Sequence, residues 1–413
     1  MPLINNAPAV RRLIPPVPVL SPSAFRSTPQ DSATLPSLLD GTQTRMVTSG
    51  RVAIGLALRA LGVGAGDLVL VLAYHSPSMV PPVHWCGAEV VFYSVHADTT
   101  ADLADIAAKI DGRVKAVMAT HFFGIPQDLA PLRALCDSRG IGLIEDCAHC
   151  FFGERDGVAV GSSGDYAIGS SMKFFPIYEG GCLVSRRHAL DMRLQSAGAG
   201  FEAKAALNAL ENSFSYGRLP GLRALLALPL RAKDLLRDTL KRHAGRSGTS
   251  GAPSAAASSL APSSSDSSFD FDPRWADKRS SGFSRLVVRF ASRTRIVARR
   301  RCHYLTLQQA LAGLPGWRPL FAALPDGACP WVFPLLAERP APLFEALQAA
   351  GVPMVRFGAT LWPGVDDRVC ANSMALGRQL IAFPCHQELR EAELAWMIGA
   401  IRSALATTAA VPA

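Results

Sequence analysis

From Ser49 onward the chain alternates two kinds of apolar pattern. Arg51–Leu61 repeats apolar residues at helical spacing and is stopped by Gly62, whereas Leu68–Ala73 and Glu89–Val95 are short apolar runs of strand type. Ala101–Ile110 and Leu129–Arg139 read as helices, and Lys115–Thr120 and Gly142–Glu145 as strands. Strands separated by helices of this length predict an α/β fold, with a mostly parallel central sheet covered by helices on both faces. The rhythm weakens beyond about Gly200. A helix around Tyr304–Ala312, strand-like Pro330–Leu336, a helix over Pro342–Ala350 and a closing helix over Glu391–Leu405 predict a second, smaller C-terminal α/β domain. The expected organisation is an extended Pro- and Ser-rich arm over 1–44, a large domain over 45–243 and a disordered Ser/Ala/Pro-rich insertion over 244–270. A basic helical connector over 271–300 and the small domain over 301–413 complete it.

Composition narrows the class. With 49% hydrophobic and 18% charged residues among 413, the chain is neither globally disordered nor a coiled coil, and it is long enough for more than one core. The net charge of +9 comes almost entirely from arginine. Only seven lysines occur, so each is worth inspecting. No nucleic-acid motif or interleaved aromatic pattern accompanies the basic charge. Prolines break the N-terminus as an apolar leader, and Leu68–Ala88, the longest uncharged stretch, holds three prolines and two histidines and cannot be a spanning helix. A cytoplasmic protein is therefore expected. Leu219–Arg237, where Leu pairs alternate with Arg and Lys, reads as a docked surface helix, with an interfacial membrane helix as the alternative. The nine cysteines show no zinc spacing. The single Cys147-Ala-His-Cys150 pair is weak evidence for metal or redox work, and buried thiols in a reducing compartment are the plainer reading.

Three features carry candidate chemistry. Ser49-Gly50-Arg51 opens the first helix, where Ser49 can cap, Gly50 allows close backbone approach, Arg51 could add a charged fork, and free N–H groups can bind phosphate. Glu145 and Asp146 end a predicted parallel strand, the place where α/β sheets put ligands; a structural cap is the bland alternative. Lys173, flanked by Met172 and Phe174-Phe175, is expected to be partly desolvated, which lowers its pKa toward the range where a neutral amine attacks a carbonyl; a snorkelling surface lysine is the alternative. A phosphate cradle, a strand-end carboxylate and a desolvated lysine are together what pyridoxal 5'-phosphate needs.

The ordered motifs resemble the DegT/StrS-type nucleotide-sugar aminotransferases. They are Ser49-Gly50, Leu61-Gly62-Val63-Gly64-Ala65-Gly66-Asp67, Gly87-Ala88, His121-Phe122-Phe123-Gly124-Ile125-Pro126, Glu145-Asp146-Cys147-Ala148-His149, Gly164-Asp165, Lys173, Gly180-Gly181 and Ile381–His386. The resemblance covers roughly 45–200 and 295–410. It implies the fold-type-I pyridoxal-phosphate architecture, a homodimer, and transfer of an amino group from an amino acid, glutamate in most relatives, to a keto-sugar nucleotide. Lys173 would be the covalent lysine and proton shuttle, Asp146 the partner of the pyridine nitrogen, and His149 a contact near the ring oxygen or ring. Gly50 and Ser170 would touch the phosphate.

The departures stay as open expectations. Arg51 stands where the family usually has Thr. Tyr74-His75-Ser76 replaces the segment whose aromatic residue stacks on the cofactor; Ser76 fills that slot, leaving Tyr74 or His75 to stack. The short Asp165-to-Lys173 spacing permits a register that puts Tyr178 in the lysine slot. The neighbour-subunit segment is not recognisable, and Ser280–Arg285 is expected in its place. Arg285 and Arg356 are candidate substrate ligands for a diphosphate or carboxylate. The run Arg299-Arg300-Arg301 reads as a solvated helix face, with anion binding as its alternative. No metal ligand set is expected. Another pyridoxal-phosphate reaction on the same scaffold, or a non-catalytic partner role, remains the competing function.

Overall fold

The computed structural model describes residues 13–410 apart from 30, 32, 42 and 227–269, so most of the expected insertion and the second half of Leu219–Arg237 lie outside the described residues. The first half of that segment holds a short helix, Pro220–Leu225, whose Leu225 side chain is exposed.

Seven strands form the main sheet: β1 (Gln43–Val47), β2 (Leu68–Leu72), β3 (Glu89–Tyr93), β4 (Val114–Thr120), β5 (Gly142–Asp146), β8 (Tyr166–Gly169) and β9 (Gly181–Ser185). A two-stranded hairpin of β6 (Glu154–Arg155) and β7 (Val158–Ala159) interrupts the series. The spatial order is β1-β9-β8-β5-β4-β2-β3, and every pair not involving β9 is parallel. Both faces are covered, so β2 is buried at every position, as its unbroken Leu-Val-Leu-Val-Leu run requires.

The helices between strands follow the expected pattern: α1 (Gly50–Ala60), α2 (Pro81–Trp85), α3 (Leu103–Lys109) and α4 (Ala130–Arg139). Ser49 caps α1, its hydroxyl accepting from the Val52 N–H at 3.3 Å, and left-handed Gly140 ends α4. Three strands of the main sheet have no counterpart in the sequence expectations: β1, β8 and β9. Gln43–Val47 begins inside the proposed arm because its partner is Gly181–Ser185, more than 130 residues away, and only long-range pairing makes it a strand.

The smaller domain is a three-stranded antiparallel sheet of β10 (Trp317–Pro319), β11 (Val332–Ala337) and β12 (Leu380–Pro384). The helices Pro340–Ala350 and Glu391–Ala410 cover it, joined by the C-terminal part of the helix Arg293–Leu311. A third core cluster joins the two halves: Leu20 and Leu38 of the arm, Phe151, Phe152, Phe174 and Phe175 of the large domain, and Val287, Val288, Ile296 and Val297 of the basic connector. The connector is thus a packed element.

Here the sequence expectation needs correction. Arg299-Arg300-Arg301 is not one solvated face. The buried stripe of Arg293–Leu311 runs Ile296, Val297, Arg300, His303, Tyr304, Leu307 and Leu311, and Arg300 falls on it by helical spacing, 0% exposed. Arg299 sits on Asp31 at 3.3 Å, and Arg301 donates to the Pro325 and Ala328 carbonyls at 2.7 Å each.

Candidate active site

Parallel register brings the chemistry together. Thr120, Asp146 and Ile168 are paired across β4, β5 and β8, so the residues following these strands emerge at one carboxyl edge. Asp146 is buried there. Its Oδ2 accepts from the Thr120 hydroxyl at 3.1 Å and its Oδ1 from the Ala148 N–H at 2.8 Å. Burial raises its pKa, opposed by these hydrogen bonds and by the positive charge of Lys173.

Lys173 ends a short 3-10 turn, Ser171–Lys173, that follows β8. Its ammonium lies over the Trp331 ring, 4.6 Å from the centroid. Burial lowers the amine to about 8, with Asp146 pulling it back up. His149, two residues past Cys147, is buried; its ring stacks on Trp331 at 4.0 Å, and burial followed by the Lys173 charge holds its pKa well down. It is therefore neutral, and its Nδ1 is buried without a hydrogen-bond partner.

The adjoining acid has a different task. Glu145 accepts from the backbone N–H of Gly161, Ser163 and Gly164 at 2.5–3.0 Å and from His121 at 2.9 Å. It anchors the loop between β7 and β8. His121, Glu145 and Cys147 offer metal-type ligands within 4.8 Å of one another, but the carboxylate is already filled by these donors. A cleft lined by Gln127, Arg155 and Val160 opens over this support and not over Lys173. Cys147 and Cys150 are buried free thiols.

The second group lies at the start of α1. A Cβ built at Gly50 would stand 3.8 Å from the Gly169 carbonyl oxygen and from Ser170 Cβ, so the N-terminus of α1 lies directly beside the Ser170 turn. Gly181 lets this happen: a Cβ there would lie 2.4 Å from the Ser49 carbonyl carbon.

The remaining candidates are placed as follows. Tyr74 donates to the Phe357 carbonyl at 3.0 Å and packs on Phe122 and Phe357, whose rings also meet His149. His75 is used twice: its Nδ1 meets the Ala73 carbonyl at 2.9 Å, its Nε2 accepts from the Trp362 N–H at 3.1 Å, and its ring stacks on Phe92 at 4.7 Å. Ser76 shares a hydrogen bond with Ser78. Arg51 points to the Asp270 carbonyl at 2.5 Å. Arg285 donates to the Ser280 carbonyl, and Arg356 to the Arg378 carbonyl at 3.3 Å while lying over Phe344. The structure thus unites Lys173, Asp146 and His149, pairs Gly50 with Ser170, and engages both substrate-arginine candidates with backbone carbonyls. Trp331 is the site residue that sequence reasoning missed; a lone tryptophan ahead of a strand carries no signal.

A seven-stranded sheet of this order, with one antiparallel strand and a buried lysine, aspartate and histidine at its carboxyl edge, has the fold-type-I α/β architecture. A crystal structure of the aminotransferase TlmJ from Streptoalloteichus hindustanus shares that fold, with a TM-score of 0.61, 21% identity, and coverage of 89% of this chain and 87% of the other. The family model of the DegT/DnrJ/EryC1/StrS aminotransferases matches residues 39–216 of this chain. The GDP-perosamine synthase of Vibrio cholerae is 38% identical over 142 residues, 34% of this chain and 39% of that protein. The UDP-N-acetyl-3-dehydro-alpha-D-glucosamine 3-aminotransferase of Acidithiobacillus ferrooxidans is 36% identical over 154 residues, 36% of this chain and 41% of that protein. The match to these curated relatives spans about two fifths of their length.

Proposed function

We propose that the protein is a pyridoxal 5'-phosphate-dependent aminotransferase that moves an amino group from an amino acid, glutamate in the first instance, to a keto-sugar nucleotide. The observation that carries this reading is a buried amine poised near neutral pH against a buried carboxylate, inside the matched family domain. The sugar acceptor follows from the names of the two curated relatives.

The residues present fit the cofactor. Three observations support the fit: the unpartnered His149 Nδ1, the N-terminus of α1 at Gly50 lying beside Ser170, and a buried amine whose charged form is supported by the Asp146 carboxylate. Bound there, the cofactor supplies an aldehyde that condenses with amines and a ring that withdraws electrons from the substrate carbon. Lys173 would hold the cofactor by its aldehyde, and its amine, titrating near 8, would take and return the substrate proton. Asp146 keeps a proton on the ring nitrogen, and Thr120 and Ala148 keep its carboxylate turned for that purpose. Neutral His149 serves the ring oxygen. The Gly50 end of α1 and the Ser170 hydroxyl hold the phosphate. The reading includes a cytoplasmic homodimer; among the described residues no helix is long and apolar enough to cross a membrane.

The test is incubation with pyridoxal 5'-phosphate, borohydride reduction and peptide mapping, followed by product analysis with glutamate and keto-sugar nucleotides. The expected result is a single adduct on Lys173 and an amino-sugar product. An adduct on another lysine, or none, overturns the site. Bound cofactor without amino-sugar formation overturns the acceptor.

A further inference from the structure

We propose that Arg300 is a positioning residue for Lys173: one buried guanidinium holds both the backbone of the lysine turn and the entry of β11 that carries Trp331, and so sets where the amine stands over the indole. The inference rests on the functional reading above, in which that amine bears the cofactor.

Arg300 is fully buried, and among the described residues no carboxylate pairs with it. An unpaired buried cation costs several kcal/mol in desolvation, so hydrogen bonds must offset it. Every one of its nitrogens is engaged. Nε donates to Gln387 Oε1 at 2.9 Å, Nη1 to the Pro330 and Trp331 carbonyls at 3.1 Å each, and Nη2 to the Lys173 carbonyl at 2.7 Å. The guanidinium also lies over the Phe174 ring, 4.4 Å from its centroid. Gln387, held by this contact, donates from Nε2 to the Phe174 carbonyl at 2.7 Å. Two consecutive carbonyls of the lysine turn are therefore gripped by an Arg300–Gln387 fork, and the same fork grips the residue whose ring walls the amine. Arg299 and Arg301 meet other partners and leave the turn untouched. A lysine at 300 could not reproduce the planar set of donors. The titratable groups that act on the Lys173 amine are Asp146 and His149, both at or just past the end of β5.

The test compares the full-length proteins Arg300→Lys, Gln387→Met and, as a control on the same helix, Arg301→Lys, without cofactor. Hydrogen exchange of the peptide covering 171–175 reads the turn. Competitive acetic anhydride labelling across pH, mapped by mass spectrometry, reads the Lys173 midpoint, which lies near 8 in the parent. Loosening the turn exposes the amine, so Arg300→Lys and Gln387→Met are expected to speed exchange about tenfold and raise the midpoint by roughly one pH unit, a tenfold change in protonation equilibrium. Arg301→Lys leaves both at parental values. Parental exchange or an unmoved midpoint in Arg300→Lys overturns the proposal, as does an equal response in Arg301→Lys. If Arg300→Lys does not fold, the Gln387→Met result decides. Adding pyridoxal 5'-phosphate to the parent separates the two readings, because failure to modify Lys173 sinks the cofactor assignment while the labelling and exchange data still judge the fork.

Discussion

Replacing Gly181 with alanine tests whether the start of α1 is the phosphate cradle. Gly181 lies on β9, paired with Val47, and a Cβ there would stand 2.4 Å from the Ser49 carbonyl carbon and 2.6 Å from the Gly50 nitrogen. Both are backbone atoms, so no side-chain rotation relieves the contact. Ordinary van der Waals separation begins near 3.4 Å, and the helix start must therefore move by about 1 Å. Overpacking of this kind costs roughly 1–3 kcal/mol. It would also turn the Gly50 N–H away from a phosphate held there. Loss of one hydrogen bond to a charged group is worth about 1.5–3 kcal/mol, or roughly 10- to 150-fold in affinity. The assay is spectrophotometric titration with pyridoxal 5'-phosphate, alongside thermal unfolding. The control is Gly200→Ala, in the helix Ala199–Ser215, where a Cβ meets nothing and alanine should stabilise by about 0.5–1 kcal/mol. Parental cofactor affinity in a folded Gly181→Ala protein would refute the cradle, and a lowered affinity in Gly200→Ala would show that the assay is reading stability instead.

Three further outcomes follow from the site and its surroundings. Asp146→Asn removes the negative charge that supports the Lys173 ammonium, so the amine midpoint should fall below about 8, measured by competitive labelling across pH; a rise would contradict the assigned interaction. His75 and His303 are buried and titrate at about 4 in the folded protein, against 6.5 when unfolded. Between these values the unfolded state binds more protons, so stability should be intact above pH 6.5 and decline as pH falls toward 4, by up to about 3 kcal/mol per histidine. Denaturant melts across that range, with a shallower slope in His75→Gln, check it. Glu145→Gln leaves the Gly161, Ser163 and Gly164 N–H groups short of acceptor capacity and should cost about 1–3 kcal/mol in unfolding free energy, whereas an unaltered melting point would show that the loop has another anchor.

Much of the site was legible along the chain because its parts are local. Asp146 is found by the end of an apolar strand, Gly50 by a helix start and Lys173 by its aromatic neighbours, and each signal spans a handful of residues. The family resemblance ordered them. The roles of the two adjacent acids were not legible: only the folded loop over 161–164 shows that Glu145 holds backbone while Asp146 faces the lysine. His75 reads as a stacking candidate by position, yet its ring rests on Phe92, and both nitrogens are bound, because the neighbouring strand and the Trp362 segment reach it first.

What the amino-acid order determined by itself was the alternation of helix and strand, the covered parallel sheet and the chemical types at its edge, since periodicity and strand-end position are properties of neighbouring residues. Tertiary structure decided the pairing of β1 with β9, the seating of Arg300 on the Lys173 carbonyl and the placing of Trp331 against Lys173. Each of those joins residues more than a hundred positions apart, and no local pattern encodes which distant group will desolvate a charge or fill a wall.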